Sequence, residues 1–461
     1  MRTLRKAAGD RAPSAFFVGA MLSVVLAVGG PFASDARAAG TGHGMQAEFQ
    51  DMKAEIRALQ QKTNTLELRG AEKDSKIKSL ETQVQQTHED LTGMASFNFI
   101  NEVEMSGYVD AVVTNVLTTP DDQQRRLGVF ETNSHSFNNL GFKLVLEKPT
   151  SEEDRAGFRV DILSGETGRL LGAATTDVPT GTTGLDDFEL EQAYITYKAD
   201  VGDGLDIFVG KFVTLLGAEV IESPDNFNIT RSILFGFAIP FTHTGIRATY
   251  PLTDTVSVTA GVNNGWDNND DLNHGYTYEG QVAWNPNDKF GLVVNGIWGP
   301  EKVGREENKR GVIDVVATWM PTSKLTFVGN FDWGHESGVP LTNTNTIFAT
   351  VNGLIIPFTG MRTGKKTADW YGAALVTNYQ FTDRFHLAGR VEYFRDSDGF
   401  RTGVRQSLWE GTITPTFWVT PKLLTRIEFR TDHSNQNFFL QGGQSTGHQE
   451  SVLGEVAFMF P

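Results

Sequence analysis

The chain contains no cysteine, so it can form neither a disulfide nor a thiolate metal site. Long apolar runs are also missing. Past the N-terminus no window of 18 or more residues is uninterrupted by polar groups, hydrophobic residues make up 39% of the chain, and the mean hydropathy is -0.26. A bundle of apolar membrane helices is therefore excluded, and any membrane role falls to strands. Positive charge is in deficit, with 40 Lys and Arg against 56 Asp and Glu and a formal net charge of -16. That balance argues against a nucleic-acid partner. The motifs G-x-S-x-G, H-E-x-x-H and the phosphate-cradling P-loop are absent, so nothing points to an enzyme or a cofactor.

What is present begins with a leader. Arg2, Arg5, Lys6 and Arg11 form a basic start, Ala15 to Val28 an apolar centre, and Ala36-Arg37-Ala38 an A-x-A cleavage site. Residues 1–38 thus read as a secretory signal, and their removal shifts the net charge to about -19. From Phe49 a heptad runs in one phase through Met52, Ile56, Leu59, Thr63, Leu66, Gly70, Lys73, Ile77, Leu80, Val84, Thr87 and Leu91, with Glu, Lys, Gln and Arg between. A 3.5-residue period held for more than six heptads predicts an α-helical coiled coil that self-associates. Residues 39–94 are expected to form this coiled coil and its linker, in the periplasm.

Past Ala95 the period drops to 2. In "KLLTRIEFRTDH" Leu423, Thr425, Ile427 and Phe429 oppose Arg426, Glu428, Arg430 and Asp432; in "DRFHLAGRVEYFRD" Phe385, Leu387, Val391 and Tyr393 oppose His386, Arg390 and Glu392. One face suits hydrocarbon and the other water. Sixteen such segments are predicted, near 103–113, 138–148, 156–164, 188–198, 204–212, 243–250, 254–263, 275–285, 288–298, 309–320, 323–334, 367–380, 383–395, 405–419, 422–432 and 448–460. Tight turns such as "KPTSEED", "NPND" and "VTPK" follow the even-numbered strands and long segments the odd-numbered ones. Strands of about ten residues tied in this way predict a transmembrane β-barrel of about 16 antiparallel strands over residues 95–461, with both barrel termini on the periplasmic side. Trp284, Trp298, Trp319, Trp333 and Trp409 fall near strand ends, where a membrane interface favours such rings.

One connection does not read as a surface loop. "SILFGFAIPFTHTG", residues 232–245, is rich in Phe, Ile and Leu and broken by Gly236 and Pro240. Exposed, it would be an aggregation hazard. Folded into the barrel, residues 213–242 would bury Ile233, Leu234, Phe235, Phe237, Ile239 and Phe241 against the wall and place "EVIESPDNFN" in the lumen. Each large apolar side chain contributes about 1.5 to 3 kcal/mol on full burial, enough in sum to offset ordering the loop.

"GKFVTLLGAEVIESPDNFNITRSILFGFAIPFTHTGIRATYPLTD", from Gly210 to Asp254, and "SGYVDA", from Ser106 to Ala111, resemble the beta-barrel porin-2 family, also described as OmpL-like. The resemblance spans about residues 95–461. It implies an outer-membrane porin for passive diffusion of small hydrophilic solutes or ions, trimeric as in the general porins this chain resembles in plan. There the loop between strands five and six narrows the channel. Such chains commonly end on an aromatic residue, whereas this one ends Phe458-Met459-Phe460-Pro461. The coiled-coil stalk resembles those preceding some specialised trimeric porins.

By alternation the lumen carries both signs. Asp110, Asp161, Asp314, Asp332, Glu392, Glu410 and Glu428 point inward, as do Arg159, Arg247, Arg390, Arg426 and Arg430. With Glu219, Glu222, Asp225 and Arg231 from the loop, they are the expected channel and constriction residues, although loop charges that pair with the wall would equally serve as anchors. "WDNNDDLNH", Trp266 to His274, lacks the Gly and terminal Glu of a calcium loop and reads as a solvated external loop, so no metal is assigned. His243 reads as a structural hydrogen-bonding residue. Partners are expected to be outer-membrane lipid, small solutes, two further copies of the chain, and peptidoglycan at the stalk. The alternatives are a substrate-specific channel for an anion, sugar or chelated metal, and a surface receptor or adhesin using the long loops, including "IFATVNGLIIPF".

Overall fold

A computed structural model describes residues 42–92, 102–174, 188–339, 347–351, 354–358 and 367–461. The leader and residues 93–101 of the linker lie outside these. The first element, α1 (Gly42–Thr92), is a single helix of 51 residues, about 75 Å long at 1.5 Å per residue. Its heptad seam is bare in the single chain: Ile56, Leu59, Leu66, Ile77, Leu80 and Val84 are each about half exposed or more.

The rest forms a second unit. Its wall begins with β1 (Glu104–Val116), β2 (Ser136–Lys148) and β3 (Ala156–Ser164), followed by the short helix α2 (Glu166–Ala174), β4 (Phe188–Ala199) and β5 (Leu205–Val213). After a five-residue helix, α3 (Ile233–Phe237), come β6 (Thr242–Thr253), β7 (Val256–Asn263), β8 (Thr277–Asn287), β9 (Phe290–Lys302), β10 (Arg305–Thr322) and β11 (Leu325–Ser337). Two hairpins decorate long connections, β12 (Ile347–Val351) with β13 (Leu354–Phe358), and β18 (Phe439–Gln441) with β19 (Gln444–Thr446). The wall is completed by β14 (Thr367–Gln380), β15 (Phe385–Asp396), β16 (Gln406–Thr420), β17 (Leu423–Ser434) and β20 (His448–Phe460).

Sixteen strands pair antiparallel with their chain neighbours, and β20 closes on β1 from Gly107↔Phe460 to Val116↔Ser451. All sixteen segments expected from the alternation are strands. Closure leaves no wall strand with an unpaired edge, which a lipid-facing sheet requires. The packing is inverted relative to a water-soluble protein. On β17, Ile427 is 61% exposed and Phe429 41%, while Glu428 and Arg430 between and beside them are 0% exposed. The exposed Trp residues form two bands. At the short-turn rim Trp284 meets Phe290 edge to face and Trp319 stacks on Phe327, and Trp298, Trp333 and Trp409 lie toward the long-loop rim, where Tyr393 meets Trp409 at 4.4 Å. Such girdles mark the two interfaces of a bilayer.

Two expectations are corrected. The connection after the ninth strand is a turn of only two residues, Val303 and Gly304, because β9 and β10 extend past the expected ends and pair as one long hairpin. The segment from Trp266 to His274 is not simply solvated either: Trp266, Asp267, Asn268 and Asn273 are buried against the loop system. Of the "IFATVNGLIIPF" segment only the backbone pairing of β12 with β13 is described.

The apolar core sits within the cylinder. Leu127, Val129 and Phe130 from the first long connection, Leu170 and Leu171 from α2, and Ile233 to Phe241 from the β5–β6 connection pack together with wall residues Tyr108, Trp370, Phe394 and Leu408.

An Ile427→Arg substitution, at mid-strand on the outer face, is expected to destabilise the folded barrel by about 2–4 kcal/mol, the depth-dependent cost of a cation in hydrocarbon. Urea titration of the protein in lipid vesicles measures it; an unchanged midpoint would mean this face does not meet lipid.

Candidate pore constriction

The connection from β5 to β6, residues 214–241, has no ladder of its own, so its N–H and C=O groups need other partners wherever water is excluded. In the closed order β5-β4-β3-β2-β1-β20-β17-β16 the strand β16 is seven steps from β5, close to the opposite side of the cylinder. Residues 214–241 bond to inward groups of β14 to β17, so the loop crosses the bore.

Wall carboxylates take its N–H groups and wall guanidiniums take its carbonyls. Glu428 accepts from Ile229 N at 2.6 Å and Thr230 N at 3.1 Å, and Glu392 accepts from Ile233 N at 2.6 Å and Leu234 N at 3.2 Å at the start of α3. Arg390 donates to Thr230 O at 2.6 Å and Arg430 to Arg231 O at 2.6 Å. Arg426 donates to Ser223 O at 2.7 Å and Asn226 O at 2.8 Å, and Trp370 Nε1 to Ala238 O at 3.1 Å. Charge-assisted bonds of this kind are the strong ones, and here they substitute for the missing ladder.

Local chemistry shapes the loop as well. Ser232 Oγ caps α3 by accepting from Phe235 N at 3.0 Å, and Glu219 accepts from Ser232 N at 2.7 Å. A Cβ on Gly236 would stand 2.4 Å from Val129 Cγ2, so the bare glycine lets the first long connection and α3 touch without either having to shift. At the far end Asp267 Oδ1 accepts from Phe241 N at 2.6 Å and Thr242 N at 2.9 Å. His243 Nδ1 lies 2.9 Å from Gly265 O and Nε2 3.2 Å from Thr214 Oγ1, so both ring nitrogens are engaged structurally.

The four loop residues expected at the constriction divide into two groups. Arg231 is 1% exposed and held by Glu131 at 2.8 Å, Ile229 O at 2.8 Å and Ile221 O; Glu219 pairs with Arg390 at 2.6 Å; Glu222 pairs with Lys143. These three fasten the loop. Asp225 is exposed, on the same stretch as exposed Val220 and Phe227. The wall residues divide similarly. Arg159, which bonds Asp161 at 2.7 Å and Glu147 at 3.0 Å, keeps about a quarter of its side chain exposed. Arg247 is buried with Glu279 at 2.7 Å, and Asp110 is buried on β1. Arg390, Glu392, Glu410, Arg426, Glu428 and Arg430 face inward by alternation but are covered by the loop, so they do not line open water. Asp314 and Asp332 are likewise buried completely.

The sequence profile of the family described as "Putative beta-barrel porin-2, OmpL-like" matches residues 102–460, which is the whole wall. The chain belongs to this family. It is an outer-membrane porin. No curated protein matches it. Among solved structures it is similar to an anion-selective porin from Comamonas acidovorans, at 9% identity over 78% of this chain and 99% of that one, with a TM-score of 0.52. The outer membrane channel DcaP of Acinetobacter baumannii, at 9% identity over 78% and 97% of the two chains, gives a TM-score of 0.48, and OprB of Pseudomonas putida, at 13% over 80% and 97%, gives 0.46. The likeness to the Comamonas protein shows a shared fold and nothing finer.

Several residues that hold the porin's loop escaped the sequence reading. Lys143 and Glu455 sit at inward positions of β2 and β20, so alternation alone could have found them. Glu131 and Arg401, which reach Arg231 and Phe237 O from other connections, carry no sequence signal. Burial and the neighbouring Arg310 push the Arg401 guanidinium down to about 10, and its face lies 4.9 Å from the Trp266 ring.

Glu428→Ala removes the acceptor for two buried loop N–H groups. It is expected to loosen residues 229–230 at a cost of about 1–3 kcal/mol while leaving the wall intact. Single-channel recordings would then show a larger or noisier conductance in barrels with unchanged strand content; a steady wild-type current would remove Glu428 from the anchor.

Proposed function

We propose that residues 214–241 form the constriction of a passive diffusion channel for small hydrophilic solutes and ions. The observation that carries this reading is the loop's attachment to the far wall through Glu392, Glu428, Arg390, Arg426 and Arg430. No energy input and no covalent step are required. Solute size is set by the gap the loop leaves, and solute charge by the field of the groups around it.

That field favours cations. Among the described residues seventeen buried carboxyl groups stand against eight buried Lys and Arg, and Asp225 adds an exposed acid to the loop. A narrow bore with low-dielectric walls concentrates the excess. The same bonds that hold the loop neutralise Arg390, Arg426 and Arg430, so the arginines of the β15–β17 wall do not present free positive charge.

The chain is read as a secreted precursor in which residues 1–38 are removed and residues 39–94 stand in the periplasm. The bare apolar seam of α1 supports its association with other copies, and three copies fit the plan of porins generally. Contact of this stalk with peptidoglycan belongs to the same reading.

Planar-bilayer recording tests the transport reading. Steady conductance with a reversal potential of the cation-selective sign in a potassium chloride gradient is the expected result, and deletion of residues 233–239 is expected to change the conductance of barrels that still fold. Saturation by one solute would point instead to a substrate-specific channel, silence to a surface receptor, and an unchanged current in the deletion would place the constriction elsewhere.

A further inference from the structure

Most buried carboxylates in this bore have a visible neutraliser. Asp161 and Glu191 face Lys143, Glu279 faces Arg247, Glu410 faces Arg390, and Glu455 faces Arg426. Glu392 and Glu428 accept backbone N–H groups. Asp332 has none of these. It is 0% exposed, neither of its carboxyl oxygens has a hydrogen-bond donor, and among the described residues no Lys, Arg or His forms an ion pair with it.

Its register partner across the β10–β11 ladder is Asp314, which shares the inward face, is also 0% exposed, and among the described residues forms no ion pair with a Lys, Arg or His. Directly paired residues place their Cβ atoms about 4.5–5.5 Å apart, so two carboxyl groups are confined together out of water. Asp314 is held as a hydrogen-bond acceptor at both oxygens: Asn295 Nδ2 donates to one at 2.6 Å and Asn330 Nδ2 to the other at 2.6 Å. Asn295 is itself fixed by Gln281 Nε2 at 2.7 Å. Two carboxyl groups face each other here, Glu392 adds to the negative field, and among the described residues no Lys, Arg or His forms an ion pair with either, so the pair has no basic partner.

We propose that Asp314 and Asp332 hold a divalent cation of the calcium class, bridging β10 and β11. Four carboxylate oxygens form a hard donor set suited to such an ion, and its charge matches theirs. A second buried acidic group among the described residues, Asp161, Glu191 and Glu222, has oxygens within 4.8 Å of one another but gathers around the Lys143 ammonium, which already supplies the cation. The Asp314–Asp332 site lies beside the loop's contact with the wall: Gly372, paired with Asp332, leaves room for Leu234 Cδ1, which would stand 2.9 Å from a Cβ there. An ion at this point would stiffen the wall against which α3 rests.

The full mature chain, folded in detergent and stripped with a chelator, is equilibrated with calcium chloride, and retained calcium is counted after dialysis. One calcium per chain is expected for the wild type, with loss in Asp332→Asn and in Asp314→Asn and retention in Asp288→Asn, an exposed turn variant. Calcium is also expected to raise the melting temperature of the wild type and not that of Asp332→Asn. Absence of retained calcium, or equal retention in Asp332→Asn, would overturn the proposal. So would an Asp332→Asn barrel that melts at or above wild type with and without calcium, which would mean that the pair is neutralised by a shared proton. Neither readout involves conductance, so the outcome is separate from that of the transport reading.

Discussion

Backbone amides and carbonyls inside a lipid-embedded cylinder need partners that water cannot reliably supply, and the architecture of this porin follows from that demand. The wall meets it by closure, each strand satisfying the next until β20 returns to β1. Residues 214–241 cannot meet it by pairing as a strand, because they run across the bore. Side chains substitute for the ladder: carboxylates of β15 and β17 accept the loop's N–H groups, and guanidiniums of the same strands donate to its carbonyls. The charged interior is thus as much a scaffold for irregular backbone as a lining for solutes.

This division explains why charge is dense where the molecule is most tightly packed. A buried ion pair is weak evidence of stability by itself, since desolvation opposes the Coulombic gain. Here the groups also satisfy backbone atoms and one another, as in Arg390, which joins Glu219, Glu410 and Thr230 O at once. Removing one member would strand the others, so the network behaves as a unit. Apolar packing supplies the complementary part. Phe235, Phe237 and Ile239 lie against Val129, Phe130 and Trp370 inside the cylinder, while the aliphatic and aromatic surplus on the outer face is left for lipid.

Much of the wall was legible because its chemistry is periodic. A strand with hydrocarbon on one side and a polar bore on the other must alternate, and all sixteen segments do. Two-residue periodicity also assigns an inward direction, so Arg390, Glu392, Arg426, Glu428 and Arg430 could be named without a structure. Where periodicity ends the reading weakens. The two-residue turn after β9 was missed because its flanks, which include "PEKVGREENKR", are polar throughout and carry no alternation. The segment at Trp266 read as solvated because acidic composition is a surface signal, yet Asp267 is buried as an acceptor for two loop amides.

The sequence by itself determined the class of object: a closed barrel, the number of its strands, which face of each strand meets lipid, and the presence of one connection too apolar to remain outside. These follow from local side-chain alternation and composition, which need no knowledge of distant contacts. Only the tertiary structure decided what the interior charges do. Whether Arg231 faces solute or grips Glu131, a hundred residues away, depends on which loops the barrel brings together in the bore, and whether Asp332 meets a cation or another acid depends on the register of β10 on β11. Closure joins residues far apart in the chain, and hydrogen-bond geometry at 2.6 Å is settled by that junction and by nothing in the local pattern.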